Sequence, residues 1–184
     1  SREEILRLHR VSKDFISSLK RAGLRAYVGG SLAKGTLVKK GKQDVDIFVV
    51  FDFSEDILKL EKVLEKMKLP GKLSKVHGSR DYFQIDCDDV ILEVVPVVKN
   101  KDPEMAENVT DVSLSHVKYV VGALRKNPKL ANEIKLAKTF CYANRCYGAE
   151  SYVKGFSGYS LEILVIHFGG FVKFLKGIAK VRVV

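Results

Sequence analysis

Two short apolar runs, each with one acid set inside it, constrain this chain more than any other feature. Val45-Asp46-Ile47-Phe48-Val49-Val50-Phe51 and Val90-Ile91-Leu92-Glu93-Val94-Val95-Pro96-Val97-Val98 are rich in β-branched and aromatic residues. Runs of this length and composition predict buried strands with one special position each. Asp44 stands two positions before Asp46, so the two carboxylates share a face of their strand. Like charges held that close repel, and burying them without a cation is costly. Hard divalent cations bound through oxygen resolve the conflict, with Mg²⁺ the natural choice beside phosphates. Glu93, alone in an apolar strand, is a third carboxylate that needs a partner, and the Asp44/Asp46 pair is the obvious one.

A second feature lies just upstream. Val28-Gly29-Gly30-Ser31 follows a short strand, Arg25 to Val28. Glycines let the backbone approach a ligand closely, and a helix starting at Ser31 would aim its amides at a phosphate. The Ser31 hydroxyl adds a donor at the same place. Taken singly, each piece has a plainer reading. A Gly-Gly-Ser turn is common, an Asp-x-Asp is often a solvated strand end, and Glu93 could pair with one of many lysines. Together and in this order, they point to metal-dependent phosphoryl chemistry.

The rest of the chain sets these pieces in an α+β frame. Apolar residues at three- and four-residue steps predict a helix over Glu3–Lys20. Ser54-Glu55-Asp56 predicts a serine-capped helix running to about Lys68, where Leu69-Pro70-Gly71 stops it. Leu73–Val76 and Tyr82–Ile85 read as further strands. After the polar breaker Asn100-Lys101-Asp102-Pro103 the pattern turns helical, over Ser115–Lys126, Pro128–Asn144 and Gly158 to about Phe174. The expectation is a mixed sheet with flanking helices over residues 1–99, followed by a small helical domain over 100–184.

Composition narrows the partners. Thirty-two Lys and Arg against twenty-two Asp and Glu leave a net charge of +10, which favours polyanions. Lys39, Lys40 and Lys42 form a basic loop, most simply a solvated one. Three cysteines, Cys87, Cys141 and Cys146, lack metal-ligand spacing and read as small buried residues of a reducing compartment. No apolar run reaches the ~18 residues of a membrane span, and Ser1-Arg2-Glu3-Glu4 does not open a secretory leader. A cytoplasmic protein without a membrane partner is expected.

Gly29-Gly30-Ser31 followed by Asp44-Val45-Asp46-Ile47 resembles the signature of the DNA polymerase β nucleotidyltransferase superfamily. Three further stretches resemble the central domain of archaeal (class I) CCA-adding tRNA nucleotidyltransferases. These are Lys135 to Phe140, Tyr147-Gly148-Ala149-Glu150, and Lys154-Gly155-Phe156-Ser157-Gly158-Tyr159. So does Ser113-Leu114-Ser115-His116. The resemblance runs from about Leu19 to Phe171. It implies a polymerase β-type catalytic head and a helical domain with the nucleotide in the cleft between them. It also implies two Mg²⁺ ions on Asp44, Asp46 and Glu93, and transfer from ATP or CTP to an RNA 3′ end, tRNA first, with release of pyrophosphate.

The family's nucleotide-binding positions fall on Gly30, Ser31, Ser113, His116, Lys138 and Tyr147, and its RNA-binding positions on Lys154, Phe156, Ser157, Gly158 and Tyr159. From their residue types alone, Ser113 or Ser115 reads equally as a helix cap, Lys138 as a solvated charge and Tyr147 as core. Two departures stand out. The third carboxylate is usually Asp, whereas Glu93 is one methylene longer. The family's members are also much longer, with further domains that grip tRNA, so a second polypeptide supplying them is an expected partner of a split enzyme; a compact relative or a fragment are the other readings. The alternatives for function are a less selective terminal adenylyltransferase or poly(A)-type enzyme, and a catalytically weak RNA- or nucleotide-binding module.

Overall fold

In the computed structural model, residues 2–39, 41–100, 102–149 and 152–180 are described. Lys40 of the basic loop, Lys101 of the polar breaker and Glu150 of the Tyr-Gly-Ala-Glu stretch lie outside them. Contacts divide the chain into two units, Ser1–Ala33 with Lys39–Val117, and Lys34–Val38 with Lys118–Val184. The polar breaker after Lys99 falls inside the first unit.

The first unit is a five-stranded sheet. Helix α1 (Arg2–Arg21) leads into β1 (Arg25–Val28) and the one-turn helix α2 (Gly30–Lys34), and then into β2 (Gln43–Phe51). A 3₁₀ turn and α3 (Leu58–Lys66) precede β3 (Lys72–Val76), β4 (Tyr82–Cys87) and β5 (Val90–Val98). The strand order is β1-β2-β5-β4-β3, with β2 and β5 parallel at the centre and the other pairs antiparallel. The mixed sheet expected from the sequence is therefore present. One face is a continuous apolar core. Val45, Ile47, Val49, Leu92, Val94 and Ile85 have no exposed surface on it. Helix α1 packs against β1 and β2 and buries Leu8, Phe15, Ile16 and Leu19.

Ser54 does not cap the helix that follows it. Phe53 precedes the 3₁₀ turn Ser54–Ile57, and neither the turn nor α3 has a side-chain cap at its start. The two acids are held in that turn, and the α-helix begins only at Leu58.

Between β5 and α4 (Ser113–Lys126) the chain is pinned by a buried acid. Asp111 accepts from the Val98 amide at 2.7 Å and forms a two-pronged ion pair with Arg80, which also donates to Thr110 Oγ1 and to the Pro96 carbonyl. A charge taken out of water needs such full pairing.

The second unit packs α5 (Leu130–Ala143), α6 (Gly158–Phe168) and α7 (Phe171–Ile178) around Leu130, Ile134, Ala137, Cys141, Leu161, Val165, Phe171 and Phe174. Where the apolar pattern predicted one helix from Gly158 to about Phe174, two form. Gly169 ends α6 in the left-handed conformation (φ 72°), and Gly170 continues at φ 146°, both ready choices for glycine alone. The Phe171 amide at the start of α7 then donates to Glu133 Oε2 at 2.8 Å.

A buried ionic network lies within this unit. Glu162 has no exposed surface and accepts from Lys34 Nζ at 2.6 Å, Thr36 Oγ1 at 2.6 Å and Lys138 Nζ at 2.7 Å. Burial alone would raise the Glu162 carboxyl, but the Lys138 and Lys34 ammonium groups outweigh it and hold the group below its usual value. Its stabilising contribution is therefore full above the ordinary carboxylate range, about pH 4.3, and drains away as pH falls below it. Glu162→Gln takes the shared carboxylate charge from two buried ammonium groups and should cost about 3 kcal/mol at pH 7. Urea unfolding at pH 7 and at about pH 3 checks this: the gap between wild type and variant should narrow at the lower pH.

Candidate active site

Strand register decides where the three acids go. In the parallel β2–β5 pair Asp46 lies opposite Glu93 and Asp44 opposite Ile91. Residues paired in register present to the same side of a sheet, as do residues two apart on a strand. Asp44, Asp46 and Glu93 thus share the face opposite the apolar core, and all three are half-buried. Farther along the same face the pairs become apolar, Phe48 with Val95 and Val50 with Val97. There Leu114 and Val117 of α4 cover them. Ser113 and His116 occupy the first turn of that helix, so the first unit sets them over the face that carries the acids. Ser113 is helical itself; the turn before α4 is capped by Asn108, whose side chain accepts from the Thr110 amide.

The two glycines have a packing reason. The Gly29 amide donates to the Asp46 carbonyl at 2.8 Å, which lays the Gly-Gly turn across β2. A Cβ on Gly29 would sit 2.3 Å from the Phe48 ring, and one on Gly30 would sit 1.7 Å from Asp46 Oδ2. Gly30 also adopts φ 53°. Any side chain there would occupy the space beside the Asp46 carboxylate. Ser31 follows in α2, half-buried one residue beyond this contact.

Two residues of this face escaped the sequence reading. Gln84 of β4 lies opposite Glu93 and donates to its Oε1 at 2.8 Å. Tyr82, two positions earlier, has its phenol raised by burial and then by the negative charges of Glu93, Asp44 and Asp46. Two positions from Gln84 on the same strand, Tyr82 shares the sheet face of the three acids. The alternation Tyr82, Gln84 was visible in the sequence, but the pairing that sets it beside Glu93 was not. The donor set is all carboxylate, the chemistry a hard divalent cation asks for. Among the described residues, however, no group of three or more His, Cys, Asp and Glu side chains is arranged to hold an ion as it stands.

In the second unit the remaining motif residues come together. Tyr147 and Phe156 form an isolated parallel bridge, with the Gly148 amide donating to the Phe156 carbonyl at 2.8 Å and the Phe156 amide to the Cys146 carbonyl at 2.9 Å. A Cβ on Gly158 would meet Tyr147 Oη at 2.7 Å and Lys138 Cε at 3.8 Å. Lys138, Tyr147, Phe156 and Gly158 are therefore one cluster, which explains why these separate stretches of sequence form a set. Lys138 is not a solvated charge: it is 2% exposed and bound to Glu162. Ser157 caps α6 by accepting from the Ser160 amide at 3.0 Å. Lys154 is exposed with φ 52°, and the Lys34 ammonium stands 5.7 Å from the centre of the Tyr159 ring. Lys42 of the basic loop pairs with Asp86. Of the cysteines, Cys141 is buried, its thiol pushed up to about 11, and all three are free.

The nucleotidyltransferase-domain family model matches residues 9–106, and the model of the second domain of tRNA nucleotidyltransferases matches residues 132–183. The chain belongs to the nucleotidyltransferase family that includes the CCA-adding enzymes. It is 44% identical over 159 residues to the CCA-adding enzyme of Nanoarchaeum equitans, an alignment covering 84% of this chain and 38% of that one. With the CCA-adding enzyme of Sulfurisphaera tokodaii the identity is 35% over 188 residues, or 99% and 44% of the two chains. A Thermoplasma acidophilum CCA-adding enzyme sequence is 32% identical over 191 residues, covering 99% and 84%. The chain thus spans less than half the length of the first two relatives. Among solved structures, the GLD-2–GLD-3 poly(A) polymerase complex matches with a TM-score of 0.70 at 15% identity, over 91% of this chain and 53% of that one. A cytoplasmic RNA terminal U-transferase matches with a TM-score of 0.66 at 15% identity, over 91% and 48%. At that identity the likeness establishes the nucleotidyltransferase fold.

The Gly30 contact is open to test against Gly35, which has φ 68° but nothing within 4 Å of an added Cβ. Gly35→Ala should cost only the backbone term of about 1–2 kcal/mol. Gly30→Ala adds the displacement of Asp46 and should cost at least about 1 kcal/mol more by denaturant unfolding. Equal costs would show that the Gly30–Asp46 contact is slack.

Proposed function

We propose that the chain is the catalytic portion of a CCA-adding nucleotidyltransferase, transferring nucleotides from CTP and ATP to the 3′ end of RNA, tRNA first. One observation carries this reading: Asp44, Asp46 and Glu93 share one face of the central strand pair, with the Gly29-Gly30-Ser31 turn laid against Asp46.

In the proposed reaction the 3′-hydroxyl oxygen gives up its proton to solvent and attacks the α-phosphorus, the bond to the β-phosphate breaks, and pyrophosphate leaves with that electron pair. Asp44 and Asp46 would hold the Mg²⁺ ions, and Glu93 the one beside the 3′-hydroxyl. Bound there, the cation lowers the pKa of that hydroxyl and neutralises charge on the phosphates. The Gly29-Gly30-Ser31 turn beside Asp46 is proposed to meet a phosphate, with the Ser31 hydroxyl as a donor for it. Ser113, His116, Lys138 and Tyr147 are proposed to contact the triphosphate and sugar. Lys138 and Lys34 meet at the Glu162 carboxylate, which brings two ammonium groups close together.

Lys154, Phe156, Ser157, Gly158 and Tyr159 are proposed to meet the RNA. A net charge of +10 supplies the general attraction to its backbone. Further domains, on a longer chain or on a second polypeptide, would complete the grip on tRNA. Among the described residues no helix is long and apolar enough to cross a membrane, and a cytoplasmic setting fits the substrates.

Incubation with each labelled nucleotide, Mg²⁺ and tRNA lacking its CCA end tests the proposal. Incorporation of CMP and AMP, but not of UMP or GMP, is the expected result. Asp46→Asn should abolish it without loss of fold, because the change also relieves like-charge repulsion. A fully active Asp46→Asn would overturn the assignment of the site, and an inert wild type would leave a nucleotide- or RNA-binding module.

A further inference from the structure

Glu93 is a longer acid than Asp44 or Asp46, and length is a problem for a group that must present its oxygens at one point. Each added methylene brings a rotatable bond and a wider spread of carboxylate positions. The structure shows what restrains it. Gln84 stands directly opposite Glu93 in the antiparallel β4–β5 pair, where facing Cβ atoms lie about 5 Å apart. Its Nε2 reaches Glu93 Oε1 at 2.8 Å. Both residues are half-buried, so water competes only in part for that bond.

We propose that Gln84 is a positioning residue for the third carboxylate: its side-chain amide fixes Glu93 Oε1, so that the longer acid offers its remaining lone pairs from one place on the face it shares with Asp44 and Asp46. The proposal rests on the reading of those three acids as a cation-binding set. An amide suits the task because it donates a hydrogen bond to a carboxylate yet brings no charge that would neutralise it. Hydrogen-bonded partners of this kind orient metal-binding carboxylates and tune their affinity. The pairing is also matched in length. An aspartate at position 93 would hold its carboxylate back by roughly 1.5 Å, one C–C bond, beyond hydrogen-bond reach of the amide as it is placed. Gln84 and Glu93 are thus expected to act as a unit.

Mn²⁺ titration of the full chain, followed by the electron paramagnetic resonance of the free ion, tests this without turnover. Gln84→Met keeps the side chain's length and removes the donor. It should bind Mn²⁺ about tenfold more weakly than wild type, with an unchanged circular dichroism spectrum. In a Glu93→Asp background the same change should have no further effect, since the bond it deletes is already lost. Wild-type Mn²⁺ affinity in Gln84→Met, or an equal loss in both backgrounds, would overturn the proposal. Asp46→Asn separates the two levels. If it loses Mn²⁺ while Gln84→Met does not, the carboxylate set stands and only the role of Gln84 falls. If it binds Mn²⁺ as wild type does, the reading of the set falls and takes the proposal with it.

Discussion

The parallel pairing of β2 with β5 is the constraint on which the rest of the first unit depends. It places Asp46 against Glu93 with Asp44 one pleat away, on a sheet whose other face carries the apolar core. A one-residue slip would turn the acids into that core and the valines and isoleucine out of it. The cost of burying three carboxylates makes this register hard to escape. The apolar face, covered in part by α1, and the acid face are two readings of the same alternation.

What surrounds the acids follows from that placement. Gly29 and Gly30 are glycines because Phe48 and Asp46 occupy the space their side chains would need. Helix α4 covers the face only where it has become apolar, at Phe48, Val50 and Val97, leaving the acidic end to other groups. The start of α4 is held by Asp111, tied to β5 through the Val98 amide and to Arg80. Acidic and apolar groups are thus divided along a single face, a few residues apart on the same strands. The second unit solves a comparable problem differently, with one buried glutamate shared by two lysines and a threonine.

Much of this was legible in the residues, for physical reasons. Strands β2 and β5 were clear because a buried strand has to be apolar on both faces, which made Asp46 and Glu93 conspicuous. The helix pattern of α1 was equally plain. The failures came where local signals compete with tertiary ones. Ser54 has the composition of a cap, yet the chain makes a 3₁₀ turn there with Phe53 ahead of it. The apolar stretch through Gly169 and Gly170 looked continuous because hydrophobicity continues across a break that only backbone conformation makes. Lys138 looked like an ordinary solvated charge, and no sequence pattern announces that it meets Glu162, twenty-four positions on, in a core. Gln84 was invisible for the same reason: its importance comes from the residue opposite, and pairing between strands is not written in either one.

The central claim is that the acid face of the β2–β5 pair is where a divalent cation, and so the chemistry, belongs. Paramagnetic broadening of backbone amide signals by substoichiometric Mn²⁺ tests it most directly, because it reports position without requiring turnover. The account predicts that Gly30, Asp44, Asp46 and Glu93 broaden first and together. Broadening that begins instead at the exposed acidic turn Asp86–Asp89, with Gly30 and Asp46 left sharp, would contradict it.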